Sequence, residues 1–437
     1  MRHRALTVAV AAATALLLSS CSLISQAGGG DSKKSDSFTY WSMWSEGEPQ
    51  QVVLKKAIDQ FTKDTGITVN VEWIGRDNVK KVSPTLNSAV SPVDLIDAAQ
   101  RNIKSVLVST KSSTPMDDVL ASEIPGEAGK TVRSVIPKNY LDMVTKDGKT
   151  WMLPYEVITS VFWFNGAQHP ELVTSPPKTW DQLITVLQGI KGSGRFPLAL
   201  DGDIANFNLY YFAELAVRNT GPGQLNKAAG DKTGDAFKNP AFKKAAEQVQ
   251  QLVKSGFFAP GYSSSKWPAM QQQWAQNKID LIYNGTWVPH ETAEYAAPNF
   301  DYRAFSMPQV TANGDKSQEI SFIGFGIPSK AAHADAAKKF IAYFMNKDRL
   351  SGIASVADNL TPRTDIAVPK KLADAKRLID TAPAIHGQFD QIIDDYGDWT
   401  TKVLIPLVND LVFGNIDANA FSAELPKRSA QYWSNNG

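Results

Sequence analysis

The sequence has a single cysteine and almost no excess of charge. Cys21 is the only cysteine among 437 residues, which excludes an intrachain disulfide, a CxxC pair and a thiolate metal cage. Lys and Arg together number 45 and Asp and Glu 44, for a formal net charge of +1. A nucleic-acid partner would require a basic face, so this balance argues against one. After the first 20 residues, no apolar run approaches the roughly 18 residues of a membrane-spanning helix.

Sequence motifs of common enzyme classes are also missing. The histidines are not spaced as HxxxH or HExxH, and GxSxG, GxxxxGK(S/T) and GxGxxG do not occur. A glycosidase needs only two suitably placed carboxylates, and Asp394-Asp395 could be nominated, although a solvated acidic helix face explains that pair more simply. We therefore expect a protein that is not an enzyme and has no cofactor or metal. A carbohydrate-active lipoprotein enzyme is the alternative.

The N-terminal segment predicts export and anchoring. Arg2 and Arg4 precede the apolar run Ala5–Leu18, which suits a signal peptide and is too short to span a membrane. The following Leu18-Ser19-Ser20-Cys21 resembles a bacterial lipobox. The resemblance implies that residues 1–20 are removed and that Cys21 is acylated, which would anchor the protein to the outer face of the cell membrane. Residues 21–37 would then be the lipidated cysteine and a flexible tether. Plain secretion with a free thiol is the alternative.

Alternating strand and helix patterns follow this segment. Phe38–Met43 is β-prone, Pro49 stands where prolines open helices, and Ile67–Trp73 alternates apolar and polar residues like a half-buried strand. A second pattern begins near Trp151 and includes the continuous β-prone run Val157–Phe164. The alternation predicts the α/β class with largely parallel sheets. A chain of 437 residues is expected to form two domains.

Two helices have clear local signals. The first predicted helix carries an apolar stripe, and Gly66 can end that helix. Its stripe consists of Val53, Leu54, Ala57, Ile58 and Phe61. The second predicted helix follows Thr179 with Gln182 three residues later, which is a capping-box pattern.

Several segments together resemble the family 1 extracellular solute-binding proteins of ATP-driven importers, the group that contains maltodextrin-binding protein. They stand in the order that the family has. The segments are FTKDTGITV at 61–69, PVDLI at 92–96, LPY at 153–155, FN at 164–165, PPKTWDQL at 176–183, YNGTW at 283–287 and GFGIP at 324–328 followed by AAKKF at 336–340.

The resemblance implies a type II periplasmic-binding-protein fold, with two lobes and a ligand cleft between them. The chain would cross between the lobes three times, near Glu156–Ser160, Phe300–Ala304 and Ala357–Pro362. Lobe 1 would comprise residues 38–157 and 303–357, and lobe 2 residues 158–302 and 358–437. The resemblance further implies a monomer that delivers a sugar to the transmembrane permease of an ABC transporter, whose ATPase subunits act indirectly.

A sugar site needs hydrogen-bonding groups for hydroxyls and flat side chains for C–H faces, and it lies beyond the carboxyl ends of strands. The ligand-binding candidates on these grounds are Trp44, Ser45, Glu46, Asp97, Tyr155, Glu156, Asp203, Asn206, Phe207, Trp267, Asn284, Trp287, Phe325 and Arg363. Trp287 is the strongest, because the resemblance implies that a Trp in this segment stacks on a pyranose ring. Structural roles remain open for the others.

Four of those structural alternatives are specific. Asp97 could cap a helix, Trp267 could pack in the core, Asn284 could belong to a turn and Arg363 could form an ion pair. The candidates are mostly aromatic and acidic, which suits a neutral or weakly cationic ligand. The sequence therefore predicts a sugar or oligosaccharide receptor that closes around its ligand. A receptor for a polyamine, a peptide or another solute is the alternative.

Overall fold

The computed structural model describes residues 37–311 and 313–436. The predicted signal peptide and Cys21 lie outside the described residues, as does the predicted tether up to residue 36. The first strand begins at Ser37, so the last residue assigned to the tether belongs to the strand. Among the described residues, none of the helices combines the length and the apolar character that crossing a membrane would need.

The strands of the described residues form two larger sheets and one short hairpin. In chain order they are β1 (Ser37–Ser42), β2 (Thr68–Trp73), β3 (Leu95–Ala99), β4 (Thr145–Lys146), β5 (Lys149–Thr150), β6 (Leu153–Ile158), β7 (Ser160–Asn165), β8 (Phe196–Ala199), β9 (Ile279–Gly285), β10 (Tyr302–Phe305), β11 (Gln318–Gly326) and β12 (Ile385–Gly387).

Helices cover both sheets. In chain order they are α1 (Pro49–Thr65), α2 (Asn78–Val82), α3 (Gln100–Ile103), α4 (Asp117–Ala121), α5 (Lys138–Met143), α6 (Pro170–Thr174), α7 (Trp180–Gly192), α8 (Ala205–Thr220), α9 (Gln224–Ala229), α10 (Pro240–Lys254), α11 (Ala269–Ala275), α12 (Val288–Glu291), α13 (Ala334–Phe344), α14 (Lys347–Ser355), α15 (Ala373–Thr381), α16 (Ile392–Trp399), α17 (Ile405–Val412) and α18 (Ala418–Asn436).

The first sheet has the order β12-β11-β3-β1-β2, with β6 paired to β11. Strand β1 is parallel to β2 and β3, whereas β11 is antiparallel to β3 and β6. The second sheet has the order β10-β7-β9-β8, in which only β8 and β9 are parallel. We call the two sheets with their helices the first half and the second half. The parallel pairing expected of the first strands is confirmed for β1, β2 and β3, whereas the second sheet is mostly antiparallel.

The local helix predictions are confirmed. Helix α1 starts with Pro49 in its first turn and buries the predicted apolar stripe. It ends at Gly66, whose φ of 73° is in the left-handed region and whose N–H donates to the carbonyl of Thr62. Helix α7 starts at the predicted capping box, in which the Thr179 side chain accepts from Gln182 N and the Gln182 side chain accepts from the Thr179 backbone.

The buried hydrophobic residues form two clusters, the first and second cores. The first core contains Phe38, Phe61 and Phe340, and the second contains Phe162, Trp180 and Trp399. The first core also includes Trp163, Trp274 and Ile282 of the second half. Two partly buried aromatic residues, Tyr262 and Trp287, pack against both cores. They therefore mark the boundary between the halves.

The chain passes between the halves at three places, and two of them differ from prediction. Strands β6 and β7 are separated by Thr159 alone, which confirms the first predicted crossing. The second passage lies in residues 306–317 rather than at Phe300–Ala304, because β10 pairs with β7. Local β propensity does not specify which sheet a strand joins.

The third passage lies near Gln388 instead of Ala357–Pro362. Leu360, Leu372 and Ile379 pack in the first core, and β12 pairs with β11, whereas Phe389 packs in the second core. Residues 358–387, expected in lobe 2, contact both halves, since Leu360 bridges to Val157 of β6 and Asp374 of α15 pairs with Arg303 of β10 at 2.7 Å. The limits of the lobes as moving bodies stay a prediction, since packing alone does not tell which segments move together.

An ion cluster around the buried Arg363 binds the segment that follows α14 to the first half. Arg363 is 1% exposed and forms ion pairs with Glu127 at 2.7 Å and Asp365 at 2.8 Å. Its guanidinium also donates to the carbonyl of Met345 at 2.8 Å. Chiefly because of hydrogen bonds from Arg363, the pKa of Glu127 is lowered to about 2. Arg363 therefore has the structural role that the sequence left open, and it is not a ligand contact.

We expect Arg363→Met to lower the free energy of unfolding by about 1.5–3 kcal/mol, because it leaves the Met345 carbonyl and the partly buried Glu127 without this charged donor. Arg428→Met is the matched control, since Arg428 pairs with Glu424 on an exposed face of α18. That control should cost less than about 1 kcal/mol. Urea denaturation of both variants checks this, and equal losses would contradict the structural role of Arg363.

Candidate functional site

The carboxyl ends of β1 and β3 lie side by side and present the first part of the candidate site. Trp44 follows β1, and its indole N–H donates to the Tyr155 hydroxyl at 2.7 Å. That hydroxyl donates in turn to Oδ2 of Asp97 at 2.6 Å, while the backbone N–H of Met43 donates to Oδ1 at 2.8 Å. This chain of hydrogen bonds holds the loop after β1 against the sheet.

The same bonds leave Asp97 and Tyr155 without the predicted contact to a ligand. Both side chains have 0% exposure, and both oxygens of Asp97 already accept hydrogen bonds from the protein. Burial raises the pKa of Asp97, and the bonds from Tyr155 and Met43 oppose that rise. Asp97 lies inside β3, so it is not a helix cap either. Both residues support the site from beneath.

Arg76 organises the loop after β1 and was missed from the sequence. Its guanidinium donates to the carbonyl of Met43 at 2.6 Å and to the two carboxylate oxygens of Glu48 at 2.7 and 3.0 Å. It also lies 4.5 Å from the centre of the Trp44 ring, within range of a cation–π interaction. A lone arginine in the loop after β2 has no sequence signal for this role, which depends on the pairing of β2 with β1.

Ser45 and Glu46 are exposed at the tip of that loop. The Ser45 N–H donates to Glu48 Oε2 at 2.5 Å. The two side chains are therefore available to a ligand, as predicted.

Glu156 lies on β6 beneath this loop and is 2% exposed. Its Oε2 has no hydrogen-bond partner in the described structure. Desolvation raises the pKa of Glu156 to about 8, against the lowering effects of Gln50 and Arg76. The group is therefore protonated at neutral pH and can donate one hydrogen bond.

In the second half, Trp287 follows β9 at the boundary between the two cores. Its ring lies on the Cα of Gly285, where a Cβ would stand only 2.1 Å from the ring. The absence of a side chain at position 285 is thus what allows this ring position. Trp287 is partly exposed, so one face of an anchored indole is available for stacking.

The neighbouring Asn284 has a structural role. It is 1% exposed, its Oδ1 accepts from Gly285 N–H at 2.9 Å, and its backbone carbonyl accepts from the Trp163 indole at 3.1 Å. Asn284 lies inside β9 and pairs with Val161 of β7, so it belongs to a strand and not to a turn.

Glu291 and Gln271, both missed from the sequence, complete this side. The Gln271 amide donates to Glu291 Oε2 at 2.9 Å, and the Gln271 Oε1 is buried without a partner. Glu291 is reached by solvent, yet desolvation by the surrounding protein raises its pKa. The charge of Arg76 lowers that pKa and the charge of Glu48 raises it. The charges of Arg76 and Glu48 in the first half are therefore near enough to Glu291 in the second half to influence its pKa.

We use "the cleft" for the space between Trp44, Glu48 and Arg76 of the first half and Gln271, Trp287 and Glu291 of the second. A second group of predicted residues lies near Gln271 on the second half. Asp203 accepts from the Trp267 N–H at 2.9 Å, and both side chains are exposed. Asp201 accepts from Met270 and Gln271 N–H groups and so fixes the start of α11.

The remaining three predictions have mixed outcomes. Asn206 and Phe207 lie in the first turn of α8 and are partly exposed, with Phe207 stacked on Tyr210 at a ring distance of 6.4 Å. Phe325 is 0% exposed and packs in the first core, 4.8 Å from the Tyr155 ring. Its prediction as a ligand contact is therefore wrong, because a strand that is buried on both faces has no side chain at the cleft.

A buried group near the passages between the halves has metal-ligand chemistry. Atoms of Glu214, Glu319 and His386 lie within 4.8 Å of one another. However, the Arg218 guanidinium is 2.8 Å from Glu214, and the Ser160 hydroxyl donates to Glu319 at 2.6 Å. The positive charge of Arg218 opposes a cation here, so these residues fit an ion-pair network better than a metal site.

The chain matches the family described as bacterial extracellular solute-binding protein over residues 45–348. Over 263 residues it is 23% identical to the diacetylchitobiose-binding protein NgcE of Streptomyces coelicolor, covering 60% of this chain and 53% of that protein. The chain therefore spans about half the length of this curated relative.

Solved structures share the fold over most of the chain. A chitin oligosaccharide binding protein has a TM-score of 0.75 at 18% identity, with 92% of this chain and 99% of that chain covered. The solute-binding protein RafE in complex with raffinose has a TM-score of 0.70 at 15% identity, with coverage of 90% and 99%. These likenesses confirm the predicted two-lobed, type II α/β fold with its cleft between the lobes.

The raised pKa of Glu156 predicts a pH dependence of stability. The folded protein keeps the proton up to about pH 8, whereas the unfolded chain releases it near 4.5. The contribution of Glu156 is therefore full below pH 4.5 and is lost as the pH rises towards 8. The parent protein should therefore lose stability between about pH 5 and about pH 8, whereas Glu156→Gln, which has no proton to release, should not. We expect the free energy of unfolding of the variant, relative to that of the parent, to be higher at about pH 8 than at about pH 5 by on the order of 3 kcal/mol.

Urea denaturation at the two pH values measures this difference. The exposed Glu46→Gln is the matched control and should change stability equally at both. A difference for Glu156→Gln that is the same at both pH values would contradict a buried, protonated Glu156.

Proposed function

The chain belongs to the bacterial extracellular solute-binding protein family, and from that premise we propose that it captures a sugar or oligosaccharide and delivers it to an ABC transporter. Support for the ligand class comes from the names of relatives and neighbours, which bind diacetylchitobiose, chitin oligosaccharides and raffinose. The observation that carries the proposal is Trp287, an indole anchored on Gly285 with a partly exposed surface at the boundary of the two halves.

The polar groups around Trp287 suit a ligand with many hydroxyls. Glu291 offers acceptors from the second half, held by a hydrogen bond from the buried Gln271, and Glu48 and Arg76 offer acceptors and donors from the first. Arg76 is already paired with Glu48, so it is not a free cation for an oxyanion. Asp203 and Trp267 extend the same surface and would serve a longer oligosaccharide.

The proposed mechanism is closure of two lobes around the ligand. Ligand would stack on Trp287 and bond first to one lobe, and contacts from both lobes would exist only in the closed form. The closed form would dock on the transmembrane subunits of a separate permease, with the ATPase subunits engaged indirectly. Acylation of Cys21 would keep this monomeric receptor at the outer face of the cell membrane.

Two further parts of the proposal follow from the site. The protein is proposed not to be an enzyme, because the cleft acids hold structural or ligand-binding positions and the ligand would be returned unchanged. The second candidate ligand is a polyamine, because the acids Glu48, Glu291 and Asp203 and the exposed ring of Trp267 would also suit a cation.

The first experiment is a thermal-unfolding screen of residues 22–437 against sugars, with polyamines and peptides as further probes. Diacetylchitobiose, chitin oligosaccharides and raffinose are the first sugars to test. At about 100 times its dissociation constant, a true ligand should add roughly 2.7 kcal/mol of stability. We expect such a shift with one sugar class, and we expect Trp287→Ala to abolish it because the stacking face is lost.

Trp433→Ala is the matched control, since Trp433 is a partly exposed tryptophan on α18 whose indole donates to the carbonyl of Ala229. It should leave the ligand-induced shift unchanged. A shift with a polyamine alone would overturn the sugar proposal and retain the fold. Shortening of an oligosaccharide during incubation would show an enzyme instead.

A further inference from the structure

Three polar contacts join the two halves at a place away from Trp287. Lys104 Nζ lies 2.9 Å from Asp395 Oδ1, and the Gln100 amide donates to Asp394 Oδ2 at 3.1 Å. The contacts continue where the Arg101 guanidinium donates to Gln388 Oε1 at 2.8 Å. We call these six residues the polar lock.

One side of the polar lock is fixed to the first half. Gln100 and Arg101 directly follow β3, and a π-helical turn over Lys104–Val108 continues α3. Ile103 and Leu107 pack on Gly326 of β11, where a Cβ would stand only 3.1–3.2 Å from their side chains. The helix therefore lies flat on the first sheet and presents Gln100, Arg101 and Lys104 to the other half.

The other side is fixed to the second half by separate hydrogen bonds. Asp395 Oδ2 accepts from the Asn226 amide at 3.0 Å, and the Gln388 amide donates to the Tyr210 hydroxyl at 2.6 Å. Ile392 and Trp399, on the same helix as Asp394, pack in the second core. Asp394 and Asp395 are thus held in place by the second half, whereas Gln388 directly follows β12, which pairs with β11 of the first sheet.

Most groups of the polar lock are shielded from water. The Lys104 side chain is 9% exposed and that of Asp395 27%, while Gln100 and Asp394 are buried. The sequence suggested that Asp394 belongs to a solvated acidic helix face. Its burial shows that this interpretation is wrong for Asp394. Desolvation raises its pKa to about 6, with Lys104 opposing the rise and Asp395 adding to it. A partly buried pair of this kind contributes more than an exposed one, because solvent screens it less.

We infer that the polar lock stabilises the closed arrangement of the two halves and thereby sets the affinity of the cleft for its ligand. The inference rests on the proposed function, since it concerns the regulation of the same site. The Lys104–Asp395 and Gln100–Asp394 contacts have one partner on each half, so opening about the passages separates these partners, whereas Gln388 lies at the third passage itself. A receptor that is closed only part of the time binds more weakly in proportion to the closed fraction.

The test uses Asp395→Asn and Lys104→Met, which remove the charge from one partner each. Small-angle scattering of the ligand-free protein should show a larger radius of gyration for both. Ligand affinity, measured by calorimetry with the sugar found in the thermal screen, should fall roughly tenfold. Lys104→Arg keeps the charge and should stay near the parent protein in both measurements.

Lys55→Met is the matched control, because Lys55 and Asp59 form an ion pair within α1 on the exposed face of the first half. It should change neither the scattering nor the affinity. Asp395→Asn is close in volume to the parent residue, so it tests the inference even where Lys104→Met fails to fold.

The outcomes separate this inference from the proposed function. Expansion of the ligand-free variants supports the polar lock even where no sugar is found to bind, a result that would overturn the proposed function alone. Ligand-free scattering identical to that of the parent protein in a folded Asp395→Asn variant would overturn the inference, whatever the ligand.

Discussion

The arrangement of the whole molecule depends on a small buried network at the start of β11. The Gln318 amide donates to the Thr159 hydroxyl at 2.7 Å, and the Ser160 hydroxyl donates to Glu319 Oε1 at 2.6 Å, which ties β11 to the passage between β6 and β7. Glu319 Oε2 also accepts from the Phe389 N–H at 3.2 Å, at the third passage. Two neighbouring side chains thus connect the segments through which the chain passes between the halves. A buried polar group that loses its partner destabilises the fold. This network therefore favours the one arrangement of those segments in which all of its hydrogen bonds are formed.

Because this network is buried, acids that only hold the fold together have perturbed pKa values, as acids of a functional site would. Desolvation raises the pKa of Glu319 to about 7, and the charge of Glu214 adds to the rise. Glu156, two positions before the end of β6, is likewise kept protonated by burial. Acids with perturbed pKa values usually indicate functional sites, but here burial at the junction between two halves is a sufficient cause for several of them. Solvent access is what distinguishes Glu291, which can meet a ligand, from Glu156 and Glu319 beneath.

The sequence predicted what depends on neighbouring residues and missed what depends on distant ones. Pro49, the apolar stripe of α1 and the capping box at Thr179 act over a few residues, so their outcomes were predictable. The sheet that β10 joins depends on its pairing with a strand more than 130 residues earlier, as in the pair of Tyr302 with Asn165. Among the candidate site residues, Trp287 was singled out because its segment resembles that of the family and follows a strand, whereas Arg76 and Gln271 act through contacts that no local pattern records. Phe325 and Arg363 were nominated from their places in the last strand and near a predicted crossing, and burial decides their roles.

The two halves meet at the cleft and at the polar lock, and the side chains at these two places are paired in different ways. At the cleft, Arg76 and Glu48 already satisfy each other within the first half, and Gln271 and Glu291 do so within the second. Neither pair needs the opposite half, so these groups are prepared for a ligand without holding the lobes together. The polar lock has the reverse character, since Lys104 and Asp395 are partners only across the boundary. The proposed function and the inferred polar lock thus assign ligand recognition and lobe closure to different side chains, so that a change in one set would leave the contacts of the other in place.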